Sequence, residues 1–331
     1  MAILVCGGAG YVGSHTVAEL LERNYEVIVL DNLITGYAEA VFPEAKLYVG
    51  DIKDENCTDK VFSENKISCI IDFAAYSLVG ESVTDPLKYY ENNICGTLHL
   101  LKAMQKHKVN NIVFSSTAAT YGEPKNIPIT EADETEPKNP YGETKLAVEK
   151  MFKWFDHAYG LKYVALRYFN VAGAHRSGLI GEAHNPETHL IPVVLKKALE
   201  DEPCVSIFGG DYNTPDGTCV RDYIHATDLA DAHILALEML ANGGDSNIYN
   251  LGNGRGFSNK EIVEMAEKVT GKKIKIKITD RRAGDPATLI ASSAKIRKEL
   301  NWQPKKEDLE QIIESAWKWH KNNPQGYIGR N

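Results

Sequence analysis

Tyr141 and Lys145 stand four positions apart in Tyr141-Gly142-Glu143-Thr144-Lys145, at the start of a helical stretch. On an α-helix that spacing puts both side chains on one face. A lysine ammonium beside a phenol favours the phenolate and draws the tyrosine pKa down toward neutrality. Such a phenolate can take the proton of a sugar or alcohol hydroxyl. It gains a redox role when a hydride acceptor lies close, and the start of the chain carries the signature of one.

Gly7-Gly8-Ala9-Gly10-Tyr11-Val12-Gly13 follows the apolar run Ala2–Cys6 and opens a helical pattern through Val17, Leu20 and Leu21. Gly7 can adopt backbone angles barred to other residues. Gly10 lets a pyrophosphate approach the main chain, and Gly13 lets the helix pack closely. The helix N-terminus then offers amide donors and the positive end of a dipole. Asp31 closes the next apolar run, where an acidic residue bonds the adenine ribose diol. A carboxylate there repels a 2′-phosphate, so the expected dinucleotide is NAD rather than NADP.

The elements that must position these groups alternate. Strand patterns fall at Ala2–Cys6, Glu26–Leu30, Lys46–Val49, Ser68–Phe73, Asn111–Ser115 and Tyr163–Tyr168. Helical patterns lie between them, including Leu87–Lys106 and Thr144–Tyr159. This order predicts an α/β chain with a doubly wound parallel (Rossmann) sheet. Beyond about Ala172 the pattern loosens. Helices are expected at Ile191–Leu199, Thr227–Ala241, Asn259–Val269 and Asp308–His320, and strands at Ser246–Asn250 and Ile274–Ile278. Residues 1–171 read as the NAD-binding domain and 172–331 as a smaller α/β substrate-binding domain. Segments between 170 and 260 are candidates to return to the first sheet.

The bulk properties exclude several functions. A net charge of -8 over 331 residues leaves no basic excess for a general nucleic-acid binder. No apolar run is long enough for a signal peptide or a membrane span. The six cysteines are scattered, which reads as reduced thiols in a cytoplasmic protein. His184 and His189 are the closest histidine pair, read as lacking a cysteine or acidic partner at ligand spacing, so no metal site is expected.

The Gly-x-x-Gly-x-x-Gly spacing together with Tyr141-x-x-x-Lys145 resembles the extended short-chain dehydrogenase/reductase family. Further stretches are similar to the members that interconvert UDP-glucose and UDP-galactose: Val79-Gly80-Glu81-Ser82, Ser115-Ser116-Thr117-Ala118-Ala119-Thr120-Tyr121-Gly122, Leu166-Arg167-Tyr168-Phe169-Asn170, Asp216-Gly217-Thr218, Val220-Arg221-Asp222-Tyr223-Ile224-His225 and Tyr249-Asn250-Leu251-Gly252. The resemblance implies that Tyr141 removes the sugar 4-hydroxyl proton while a hydride leaves the same carbon for bound NAD. Thr117 would relay that proton, and Lys145 would hold the nicotinamide ribose. The transient 4-keto sugar would turn over and be reduced on its other face. For NAD the resemblance points to Gly7, Gly10, Tyr11, Val12, Gly13, Asp31, Asn32, Asp51, Ile52, Phe73, Ala74, Ala75, Asn92, Ser115, Tyr141, Lys145 and Tyr168. For the UDP-sugar it points to Thr117, Tyr141, Asn170, Leu190, Phe208, Arg221, Tyr223, Arg282, Asp285 and Leu289. The two arginines would fork onto the diphosphate, Asp285 would accept from a ribose hydroxyl, and Phe208 would offer a face to uracil.

Two positions depart from the family pattern. Ser77 stands where many members carry a cofactor-contacting lysine, and His189 where an asparagine often contacts the nucleotide. Leu289 occupies the position expected to gate the sugar's 2-substituent. A homodimer through helices within Leu87–Lys106 and Thr144–Tyr159 is also implied. Other readings remain: another NAD-dependent nucleotide-sugar epimerase, a 4,6-dehydratase, or a non-catalytic NAD-sensing regulator. A dehydratase would want an acid pair after Thr117, where Ala118 and Ala119 stand. A regulator would commonly lack the Tyr/Lys pair.

Overall fold

Five apolar residues with no polar partner make β1 (Ala2–Cys6) a strand buried on both faces, as a central parallel strand requires. The computed structural model describes residues 2–282 and 285–328. After β1 come α1 (Tyr11–Glu22), β2 (Glu26–Asp31), β3 (Lys46–Val49), α2 (Glu55–Glu64), β4 (Ile67–Asp72), α3 (Val79–Thr84), α4 (Pro86–Tyr89), α5 (Gly96–His107), β5 (Asn111–Thr117), α6 (Pro140–Tyr159) and β6 (Lys162–Tyr168). The second half supplies β7 (Asn170–Ala172), α7 (Leu190–Lys197), β8 (Cys204–Phe208), β9 (Val220–His225), α8 (Ala226–Ala241), β10 (Asn247–Leu251), β11 (Gly256–Ser258), α9 (Asn259–Thr270), β12 (Lys275–Thr279), β13 (Thr288–Leu289), α10 (Ala294–Leu300) and α11 (Leu309–Asn322).

The main sheet has seven strands in the order β10-β6-β5-β4-β1-β2-β3. Every pairing in it is parallel. The chain therefore reverses its direction of travel between β1 and β4, which opens a crevice at the carboxyl edge. Alternate residues of each strand feed two cores. Ile3 and Val5 pack with Val17 and Leu20 of α1 and Leu229 and Leu237 of α8. Ala2, Leu4 and Cys6 pack with Leu100 and Met104 of α5 and Val148 and Phe152 of α6. β10 joins β6 from far along the chain, so the second half completes the sheet of the first.

The rest of the second half builds its own layer. β9 pairs with β7, β11 and β13, and β8 pairs with β12. Val194, Leu195, Ile207, Tyr223, Ile262 and Ile313 form its core. β8, β9 and β13 carry no clear strand pattern in the sequence because they are short and set by long-range pairing.

Two local features matter for the crevice. Asn139 caps α6 by accepting from the Gly142 N–H at 2.9 Å, and Pro140 occupies the first helical position. Those signals start the helix earlier than the expected Thr144 and place Tyr141 and Lys145 in its first turns. The helix expected over Leu87–Lys106 is interrupted by a π-helical turn at Tyr90–Cys95. There Asn93 bonds both backbone groups of Tyr76, at 3.0 and 3.1 Å, and the Thr144 hydroxyl at 3.1 Å. The wider turn lets Asn92 and Asn93 both point inward, a use to which π turns are often put. Among the described residues no helix is long and apolar enough to cross a membrane.

Candidate active site

The crevice is a cavity of about 500 Å³. Its floor is the glycine loop. Gly7 has φ +73°, and a Cβ there would meet Ala74 N at 2.8 Å and the Phe73 carbonyl carbon at 2.9 Å. A Cβ on Gly13 would fall 2.1 Å from the Gly7 carbonyl oxygen. Both positions therefore exclude any side chain, and they bring the N-terminus of α1 onto the cavity. That terminus has no side-chain cap and no acidic residue in its first turn, which suits a pyrophosphate. Asp31 steadies the loop by accepting from Ala9 N–H and Leu33 N–H, each at 2.9 Å. Burial pushes its carboxyl up, against the pull of those two amides. The donor set, the bare backbone and the buried acid fit a dinucleotide with a free ribose diol.

Almost all residues expected at NAD line this cavity: Gly7, Gly10, Tyr11, Val12, Gly13, Asp31, Asn32, Ile52, Phe73, Ala74, Ala75, Asn92, Ser115, Tyr141, Lys145 and Tyr168. Asp51 does not, because its carboxylate is turned to the Asn32 side chain at 3.0 Å and the Lys53 N–H at 2.8 Å. Thr117, Asn170, Leu190 and Tyr223 also line it. Phe208, Arg221, Arg282, Asp285 and Leu289 lie outside the lining and form an adjoining cluster. Asn170 pairs with Tyr223, and Leu289 with Arg221, across β9.

In that cluster the expected ligand-facing groups are engaged with one another. The Arg221 guanidinium donates to the Val220 and Pro286 carbonyls at 2.9 and 2.8 Å and lies 3.7 Å from Asp285. The Arg282 guanidinium covers the Phe208 ring at 3.9 Å, the face expected to be open to uracil. Neither relation was visible in the sequence, since both partners come from separate strands and loops.

The catalytic expectation needs one correction. Tyr141 and Thr117 both line the cavity, but burial raises the Tyr141 phenol above the ordinary value and Lys145 does not draw it down. The Lys145 ammonium instead donates to the Ser115 carbonyl at 2.7 Å and sits 4.6 Å over the Phe114 ring. Burial lowers its pKa to about 8, with Asp72 and then Glu149 opposing that shift. Asp72 is itself pushed up to about 6, chiefly by burial. Helical spacing gave the shared face correctly but not the direction of a long lysine side chain. Tyr168 lies beside the pair in a short hydrogen bond with Ser115.

The sequence reading also missed the far wall. Glu182, His184, Glu187 and His189 bring donor atoms within 4.8 Å of one another, and both histidines line the cavity. The spacing Glu-x-His-x-x-Glu-x-His was present, so the expectation of no acidic partner for His184 and His189 is overturned. His189 Nδ1 contacts Glu182 Oε1 at 2.5 Å, a direct hydrogen bond. That is shorter than the roughly 3.3 Å ligand–ligand edge implied by zinc bonds of about 2.0 Å in a tetrahedron. Lys88 also reaches the lining, held 2.7 Å from Glu81 and 4.3 Å over the Tyr76 ring. No spacing in the sequence announces it.

Residues 3–252 match the NAD dependent epimerase/dehydratase family. The chain belongs to that family. Similar relatives include a UDP-glucose 4-epimerase of Halalkalibacterium halodurans, 59% identical over 331 residues, with 100% of this chain and 99% of that one covered. Another is a UDP-glucose 4-epimerase of Lacticaseibacillus casei, 56% identical with both chains covered in full. Among solved structures, a UDP-glucose 4-epimerase superposes with a TM-score of 0.97 at 53% identity, covering 99% of each chain. The Bifidobacterium longum UDP-glucose 4-epimerase, solved with NAD+ and UDP, gives 0.94 at 41% identity, covering 98% of this chain and 100% of that one.

Proposed function

We propose that this chain is an NAD-dependent isomerase that interconverts UDP-glucose and UDP-galactose at C4 of the sugar. The observation that carries this reading is the Tyr141 phenol standing with Thr117 and Lys145 in the cavity that the glycine loop floors. Bound NAD supplies a hydride acceptor for oxidation of the C4 alcohol and returns the hydride afterwards. Gly7, Gly10, Gly13 and the α1 N-terminus would hold its pyrophosphate, and Asp31 its ribose.

Tyr141 takes the 4-hydroxyl proton on the outward step and gives it back on the return. Thr117 passes the proton between the sugar oxygen and the phenol. The phenol starts protonated because burial raises it, so added positive charge nearby is needed to release its proton. Lys145, which does not lower the phenol here, would hold the nicotinamide ribose while it remains protonated. Ala118 and Ala119 follow Thr117 and offer no acid to expel water, which favours epimerisation over dehydration. Retention of the Tyr/Lys pair favours an enzyme over an NAD-sensing regulator.

Asn170, Leu190 and Tyr223 would meet the UDP-sugar from the cavity wall. Arg221, Arg282, Asp285, Phe208 and Leu289 adjoin it, and would contact the nucleotide on exchanging their present partners. UDP-glucose and UDP-galactose are the expected principal pair, with Leu289 leaving slight turnover of the N-acetylated sugars. Assay of the four UDP-hexoses on NAD-loaded protein tests this, and the absence of glucose–galactose interconversion would refute it.

A cytoplasmic location accords with six unpaired cysteines. A homodimer is supported by exposed apolar side chains on helices that pack together: Val83 at 61%, Leu87 at 66% and Trp154 at 68% exposure. Light scattering should give twice the chain mass, and Leu87→Glu with Trp154→Glu should give monomers. A monomeric parent protein would remove the proposal.

A further inference from the structure

We propose that Asp72, at the carboxyl end of β4, is a positioning residue that keeps the Lys145 ammonium charged where it meets the cofactor. The inference rests on the proposed function for the role of Lys145. It gives a task to a buried carboxyl group that neither the nucleotide contacts nor the proton transfer uses.

The first observation is the register of the sheet. Cys6, Asp72 and Phe114 stand level across β1, β4 and β5, which run parallel. Successive residues of a strand face opposite sides of a sheet. Cys69 and Ile71 of β4 enter the core shared with α1 and α8, and Ile70 enters the core shared with α5 and α6. Asp72 is two residues beyond Ile70, so it faces α6, as Cys6 and Phe114 do. Lys145 reaches down from α6 to the same place, with its ammonium 4.6 Å over the Phe114 ring. A carboxyl group and an ammonium therefore meet at adjoining strand ends.

The second observation is that each lacks another formal partner. Asp72 is 1% exposed. Its Oδ1 accepts from the Ala74 N–H at 3.0 Å, and its Oδ2 is buried with no hydrogen-bond partner among the described residues. A buried carboxylate is costly unless a positive charge lies nearby. Lys145 is buried too, and the Ser115 carbonyl and the Phe114 ring give its ammonium no full negative charge. Asp72 leads the charges that raise Lys145, ahead of Glu149, and Lys145 is the charge that lowers Asp72.

The third observation is that the surrounding elements supply no substitute. Glu149 of α6 is held by Arg167 and by the Ser116 hydroxyl. Tyr141 of α6 and Tyr168 of β6 are raised by burial and stay neutral. Burial also raises the Cys6 thiol of β1, with Asp72 adding to the effect. Asp31 of β2 is turned to the amides of Ala9 and Leu33. His233 of α8, stacked on Phe73 at 4.7 Å, is held near 4 by burial and is neutral. α5 brings the apolar Leu100 and Met104, and the π turn the neutral Asn92 and Asn93.

The sign follows directly. Burial lowers Lys145, and the Asp72 carboxylate opposes that, leaving the ammonium with a pKa of about 8. Asp72 itself ionises at about 6. Between those values Asp72 is an anion and Lys145 a cation, so the ammonium is available to the nicotinamide ribose at neutral pH. Without the carboxylate, Lys145 loses its proton at lower pH. Asp72 is not part of the cavity lining, so its effect on the cofactor passes through Lys145.

The test follows the titration of Lys145 in NAD-loaded protein by the ¹³Cε shift of labelled lysine, with Lys145→Arg to assign the signal. Asp72→Asn should lower the Lys145 midpoint by about one pH unit, as loss of a neighbouring opposite charge does. Asp72→Ser, which keeps an acceptor for the Ala74 N–H, should do the same if the first variant fails to fold. UDP-galactose kinetics supply the second readout. The ratio of kcat at pH 8.5 to kcat at pH 7 should fall about fourfold below the parent ratio, as a midpoint moved by one unit requires, with KM at pH 7 within twofold. At pH 5 variant and parent should agree within twofold, because Asp72 is then protonated in the parent. An unchanged or raised Lys145 midpoint would overturn the proposal. So would a loss of kcat equal at every pH, which is the mark of a packing role. The titration is read without turnover, so a parent protein that fails to epimerise refutes the proposed function and not the pairing of Asp72 with Lys145.

Discussion

Tyr141→Phe should lower kcat about a thousandfold, within the 10²–10⁴ range of a positioned general base, and leave KM for UDP-galactose within threefold. The ring keeps its place at the start of α6, since the capping Asn139 and Pro140 are untouched. What disappears is the hydroxyl that, on the proposed function, exchanges the 4-hydroxyl proton. The remaining barrier increase, roughly 4 kcal/mol, falls on the chemical step because the phenyl ring still fills the wall. A variant that retains a tenth of the parent kcat would refute Tyr141 as the base. The pH profile of the parent is a second readout. Lys145 has a pKa of about 8, so its charge is full below that value and lost above it. On the proposed function that charge holds the nicotinamide ribose. kcat should therefore turn down above about pH 8, and a rate still climbing through pH 9.5 would contradict the assignment.

Glu149→Gln should cost about 3–5 kcal/mol of stability, the usual result of leaving one charge of a buried pair unmatched. Glu149 follows Tyr141 and Lys145 at four-residue intervals on the same face of α6, and is 3% exposed. It holds Arg167 of β6 through two oxygens, with Nε at 2.9 Å, and accepts from the Ser116 hydroxyl of β5. Arg167 donates to the Tyr121 hydroxyl at 2.9 Å, and Tyr121 donates to Asn250 of β10 at 2.7 Å. One chain of bonds thus ties α6 to three adjacent strands. Denaturant titration should show the loss, with kcat falling as α6 loosens. Glu149→Leu combined with Arg167→Met should recover part of the stability, because no unpaired charge remains. A single variant that loses less than 1 kcal/mol would show that the pair does not organise the helix.

Much of this was legible from residues close together in the chain. The glycine spacing, the apolar run before it and the helix after it were local, and β1, α1 and Asp31 appear where they specify. The alternating pattern gave the parallel sheet, because period and turn residues act over a few positions. The far half was harder. β7, β9 and β13 owe their existence to one another, and no stretch of two to six residues announces a partner elsewhere. The interruption at Tyr90–Cys95 was hidden for a similar reason. It is fixed by Asn93 reaching Tyr76 and Thr144, and both lie outside the helix.

The sequence by itself determined that Tyr141 and Lys145 share a face beneath a dinucleotide loop, since helical geometry and glycine sterics are local. Tertiary structure alone decided how the pair is charged. Burial of α6 against β5 raised the phenol, and the Ser115 carbonyl took the ammonium. It also decided which anchors face the cavity, turning Arg221 and Arg282 to partners outside it. The same folding brought Glu182 and Glu187 behind His184 and His189. Desolvation and long side-chain reach depend on what packs alongside, and that is set only when distant segments meet.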